Sequence, residues 1–131
     1  MKEEFEIQLL GLEKKIEVET DDILFFDDYE KGKSIIFLKS GEKISGVVLE
    51  EKTLSSLAQA GFASFHTEDN LAHVNLNHVE KFKYVKAHPT KDKDVYLPQF
   101  KCGGKHSLLY IETDMSFNQL ESLKNKVQGL E

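Results

Sequence analysis

A mainly β fold with two short helices is predicted by three features of this sequence. Apolar and polar residues alternate over many short runs, the period of a strand with one buried face. Clusters of Gly, Asn, Asp and Ser separate these runs and suit tight antiparallel connections. Only two stretches, 53–60 and 117–127, carry apolar residues at helical spacing, and both are short.

Taken in order, Phe5, Ile7 and Leu9 alternate with Glu6 and Gln8, predicting a first strand that ends at Gly11. Ile16 and Val18 continue the alternation between Lys15, Glu17 and Glu19. The turn Thr20-Asp21-Asp22 precedes Ile23, Leu24, Phe25 and Phe26, an unbroken apolar run that suits a strand buried on both faces. Residues 27–33 read as a polar loop and 34–39 as a strand. Ser40-Gly41-Glu42 then turns the chain into a strand over 43–48, giving a hairpin.

Leu54, Leu57 and Ala58 share one helical face over 53–60, and Gly61 stands where a helix terminates. Phe62, Ser64 and Phe65 begin the next strand, and residues 66–70 form a polar loop. Ala72, Val74 and Leu76 then share a face, Asn77-His78 turns, and Phe82 and Tyr84 alternate with Lys81 and Lys83. Beyond a polar connection over 88–94, residues 95–101 and 106–111 flank Gly103-Gly104 as a further hairpin. Asp114 or Ser116 caps the last helix, with Ser116 and Gln119 at capping-box spacing. Its apolar stripe is Phe117, Leu120, Leu123 and Val127, and Gly129 follows it. Phe25, Phe37, Phe65, Val74 and Leu76 are the expected core.

Composition bounds the function. The chain has 131 residues, 40% hydrophobic and 31% charged, which suits a single domain over 1–131 with a modest core. No apolar run approaches a bilayer span, and the acidic N-terminus is unlike a signal peptide. Cys102 is the only cysteine, so no internal disulfide forms and a reducing, cytoplasmic setting is expected, without membrane contact.

Net charge is −6, unevenly spread. Residues 1–51 hold seven lysines against fourteen acids, whereas 81–105 hold seven lysines against Asp92 and Asp94. A basic segment inside an acidic protein suits an anion, or merely solvates strands and discourages edge pairing. All seventeen basic residues are lysines, so base reading by the arginine fork is unavailable.

The blocks T-D-D-I-L-F-F, Lys31-Gly32-Lys33, S-G-E-K-I, T-L-S-S-L, G-F-A-S-F-H and H-V-N-L-N-H-V-E-K-F together resemble the LytTR domain, a bacterial DNA-binding domain. The resemblance covers roughly residues 14–127 and is best at 22–26 and 74–82. It implies small antiparallel sheets stacked with short helices, and DNA contacted through loops rather than a recognition helix. Carried over residue by residue, it implies DNA contacts by Lys31, Lys33, His66, Thr67, Thr113 and Ser116. Lys81 and Lys83 add phosphate contacts from the basic segment. Where the family has basic or arginine positions, this chain has Thr67-Glu68-Asp69 and Glu112-Thr113-Asp114-Met115-Ser116, and its 66–70 loop is longer.

Other chemistry has less behind it. His66, His73 and His78, with Glu68 or Asp69, raise a metal site, yet no close-spaced Cys/His pair supports one. Cys102 beside Gly103-Gly104 has no base brought to it by any pattern, and no phosphate-cradling glycine loop is present. The expectation is therefore no catalytic residue, no metal and no cofactor. The function expected is a stand-alone LytTR-like transcription regulator that binds double-stranded DNA. The alternative is a degenerate LytTR-like module serving protein interaction or homodimerisation.

Overall fold

The apolar run Ile23, Leu24, Phe25 and Phe26 lies at the centre of the molecule, and all four side chains are buried. The structure, a computed structural model, describes residues 4–9, 15–30, 33–48, 59–67, 71–87, 93–101 and 109–129, with backbone alone for 4–9, 15–17, 28–30, 33, 47 and 48. Ten strands follow one another: β1 (Glu4–Leu9), β2 (Lys15–Glu19), β3 (Ile23–Glu30), β4 (Lys33–Leu38), β5 (Lys43–Val48), β6 (Phe62–His66), β7 (Leu71–Asn75), β8 (Val79–Ala87), β9 (Asp94–Phe100) and β10 (Ile111–Thr113). One helix, α1 (Phe117–Val127), closes the described chain. The molecule is mainly β.

All described pairings are antiparallel, and they join the strands in the order β2-β1-β5-β4-β3-β7-β6-β10-β9-β8. The hydrogen bonding thus forms one ladder, not the several separate small sheets expected. Its narrowest join is β6 to β10, where the register is the single pair His66 and Glu112. Of the two expected helices, the one over 53–60 falls outside the described residues except at Gln59 and Ala60, which are helical.

The ladder folds back over one face. Four strand steps separate β3 from β9, about 19 Å in a flat sheet at about 4.8 Å per step. Yet the rings of Phe25 and Phe100 stack with centroids 5.6 Å apart, and Phe65 meets Phe82 at 6.2 Å. Strands β8, β9 and β10 are therefore rolled against β3, β4 and β7. Between them lies the main core, which includes Phe25, Phe37, Phe65, Val74, Leu76, Phe82 and Ile111, with Leu120 of α1. Burying each such side chain contributes about 1.5–3 kcal/mol. A second cluster, with Val18, Ile23, Phe26, Ile36 and Phe62, covers the opposite face, which explains why no polar residue interrupts the run at 23–26.

Several expected boundaries shift. Of residues 27–33, expected as a loop, 27–30 continue β3 to Glu30 through pairing with β4 and β7, and Lys33 opens β4, while 31 and 32 lie outside the described residues. Of the second strand of the last hairpin, expected over 106–111, the described part is β10 from Ile111; Leu109 and Tyr110 are not in a strand, and residues 106–108 lie outside the described residues. Gly41 takes φ of 99° in the β4–β5 hairpin, as its turn requires. Ser116 rather than Asp114 caps α1. Its Oγ accepts the Gln119 N–H at 3.2 Å, while Gln119 Oε1 accepts the Ser116 N–H at 2.8 Å. Leu120 is fully buried in the expected stripe, whereas Phe117 stays 44% exposed.

Candidate nucleic-acid interface

Register decides which of the expected contact residues meet. Directly paired residues run in one line across seven strands: Ser34, Asp28, Leu71, His66, Glu112, Val95 and Lys86. Paired residues in neighbouring strands share a face, so this line lies on one face of the sheet. Lys33 opens β4 opposite Glu30, one step beyond the line. Thr113 ends β10 opposite Asp94, which also pairs Ala87. β3 and β6 cross this line in one direction and β8 and β10 in the other, so the connections after Glu30 and His66 leave one side of it and those after Ala87 and Thr113 leave the opposite side.

His66 is exposed at the end of β6, with half-buried Thr67 following it. Lys81 and Lys83 are exposed on β8, opposite Gln99 and Leu97. Alternation puts them on the face away from buried Phe82, and a β-bulge between Tyr84 and Lys86 brings Lys86, in line with His66, to that face as well. Lys31, Glu68 and Asp69 lie outside the described residues, and Lys33 is placed by its backbone alone.

Thr113 and Ser116 have local duties. Thr113 is buried, and its Oγ1 accepts the Met115 N–H at 3.1 Å. The Ser116 hydroxyl oxygen is the acceptor of the helix cap, though the residue is exposed and its O–H is a donor. Carboxylates also sit on or beside this line. Glu112 is buried in the line between His66 and Val95, Asp114 is exposed, and Asp94 is half-buried. Their presence was legible in the sequence, but Glu112's burial was not, since its neighbours come from distant strands.

The V-N-L-N-H block is scaffold. Asn75 is buried and donates from Nδ2 to the carbonyls of Thr20 at 3.3 Å and Ile23 at 2.9 Å. Its Oδ1 accepts the backbone N–H of Asn77 at 3.1 Å and the Asn77 side-chain amide at 2.9 Å. Asn77 also donates to the Ala60 carbonyl at 2.8 Å. The chain ahead of β3, the end of the first helical stretch and the turn before β8 are thereby tied together.

The three histidines do not converge. His73 is buried, with Nδ1 2.7 Å from Ser64 Oγ and its ring against Phe26 at 4.6 Å. His78 Nε2 lies 2.6 Å from the Asp21 carbonyl oxygen, as the donor of that bond. Among the described residues no group of three His, Cys, Asp or Glu side chains is placed to hold a metal ion. Cys102 lies outside them. No described helix is long and apolar enough to cross a membrane.

The chain matches no protein-family model, no curated protein and no solved structure.

Proposed function

We propose that this protein is a LytTR-like DNA-binding transcription regulator of the bacterial cytoplasm, contacting duplex DNA through loops. The observation that supports this reading most is the register line through His66, whose face carries exposed Lys81, Lys83 and Lys86 on the edge strand. Lys33 and Thr67 lie just to one side of that line and the 113–116 segment just to the other. Helix α1 turns Leu120 into the core and packs along β8, so a loop mode suits the molecule better than a recognition helix. In this reading His66, Thr67 and Ser116 donate to bases or phosphates. The lysines, Lys31 included, neutralise phosphates. A second helix over 53–60 belongs to the same proposal.

A second reading is favoured by one observation. Glu112, Asp94 and Asp114 lie on or just beside the register line, next to Thr113, where this reading brings DNA, and a carboxylate beside a phosphate is repulsive. A LytTR-like module that binds a protein partner, or a second copy of itself, fits those acids. Fluorescence anisotropy with random and promoter duplexes separates the two. The regulator reading expects binding at about 50 mM salt that weakens steeply as salt rises. Lys81→Ala should lower affinity for every sequence and reduce the salt slope by about one. Absence of binding to any duplex at low salt selects the interaction module.

A further inference from the structure

Strand β8 ends the described strand order, and among the described residues only half of its outer edge is covered. Glu121 Oε2 accepts the Phe82 N–H at 3.1 Å, and Lys124 Nζ donates to the Glu80 carbonyl at 2.8 Å. Gln128 Nε2 donates to the carbonyls of Val79 and Leu76, each at 2.7 Å. These helix side chains take the places that the backbone of an added strand would take, and none reaches past Phe82. Along a strand, alternate residues point their N–H and C=O the same way. Since Phe82 points outward to the helix, Tyr84 points its backbone outward too; a β-bulge between Tyr84 and Lys86 then interrupts the alternation and brings Lys86 to the side of Lys83. Among the described residues nothing pairs with this edge from Lys83 to Ala87.

The side chains there are unusual for a bare edge. Tyr84 is 50% exposed and Val85 38%. The Tyr84 ring stands edge-on to Tyr96 at 5.5 Å, and the Tyr96 hydroxyl meets the Phe117 backbone. Tyr84 and exposed Phe117 thus form an apolar border on the helix side of the edge. On the other side Lys81, Lys83 and Lys86 are exposed, with Glu80 the one acid on the strand. Edge lysines commonly discourage pairing between copies, because each copy brings the same charges. The same charges attract a strand of opposite sign.

We propose that the outer edge of β8, from Lys83 to Ala87, binds an extended acidic segment of a partner protein by strand addition. The segment alternates acidic residues, facing Lys83 and Lys86, with apolar residues that cover Tyr84 and Phe117. Backbone hydrogen bonds supply the pairing and the alternation supplies the selection. This is independent of the DNA reading, because it rests on the backbone edge as well as on charge.

The test uses the full chain and a fluorescent synthetic peptide, (Glu-Val) repeated four times, read by anisotropy. Two further peptides carry N-methyl groups, one on every Glu nitrogen and the other on every Val nitrogen. Strand addition expects the unmethylated peptide to bind and one methylated form to lose binding while the other keeps it, because only one set of N–H groups faces β8. Lys83→Glu with Lys86→Glu should weaken binding by about tenfold or more. No binding by the unmethylated peptide overturns the proposal, as does equal binding by both methylated forms, which would mean charge attraction alone. Binding of a DNA duplex at this edge with none of the peptide also overturns it.

Discussion

The buried Asn75 side chain, on β7, donates to the Ile23 carbonyl at 2.9 Å, where β3 leaves its preceding turn. One amide joins segments more than fifty residues apart, and its oxygen holds the following turn as well. Asn75→Ala leaves these buried groups without their partner, at a cost of about 1–3 kcal/mol. Urea unfolding should show the midpoint fall. Asn75→Asp should not restore it, because a carboxylate cannot donate to the two carbonyls.

Gly61 takes φ of 96°, and a Cβ built there would lie 2.5 Å from Asn77 Nδ2 and 2.8 Å from Val127 Cγ1. Gly61→Ala therefore meets both backbone strain and a clash with the Asn77 bridge. A loss of about 1–3 kcal/mol is expected, read as a lower thermal midpoint. A midpoint equal to wild type would mean that β6 does not begin as described.

Burial of Tyr96 pushes its phenol above the ordinary value of 10.0, with nearby Asp94 adding to the effect and the Phe117 backbone opposing it. The folded state holds this proton more tightly than the unfolded state does. The stabilisation is thus present in full below pH 10.0 and is lost as pH rises through the folded value. Tyr96→Phe should flatten the alkaline fall in stability. Denaturant midpoints measured on both proteins across that range check the sign.

Asp114 and Glu68 test the acidic loops. If they are vestiges of lost binding, Asp114→Arg with Glu68→Lys should strengthen non-specific DNA affinity without unfolding the chain. If they read cytosine amino groups or face a basic partner, the pair should abolish the native interaction. Unchanged affinity for DNA and for any partner found would remove these loops from the functional face.

Lysine 39 illustrates a charge that local sequence does not pair. It reaches Asp21 at 3.0 Å and Asp22 at 3.3 Å across the β3–β4 hairpin, and those bonds raise its pKa from the usual 10.5. The pair is exposed, so solvent screens it and its contribution is small.

Phe25, Phe37, Phe65, Val74 and Leu76 are all buried, because period-two alternation and an unbroken apolar run are local signals that survive folding. The turn at Gly41, the strand over 43–48 and the Ser116–Gln119 cap were legible for the same reason. Each depends on residues within a few positions of one another. The candidate contact residues were legible only as types, from a family resemblance and a local excess of lysine.

The extension of β3 through Asp27 to Glu30 was hidden, because polar residues join a strand when neighbours on both sides supply hydrogen bonds. So was the meeting of His66 with Glu112, which comes from strands forty-six positions apart (112 minus 66). The sequence by itself determined the alternation, the turns, the cap and the identity of most core residues, since these follow from side-chain chemistry over one or two turns of chain. Tertiary structure alone decided the strand order, the roll that stacks Phe25 on Phe100, and the half-covered edge of β8. Those depend on backbone groups that every residue shares, and on which distant strand satisfies them first.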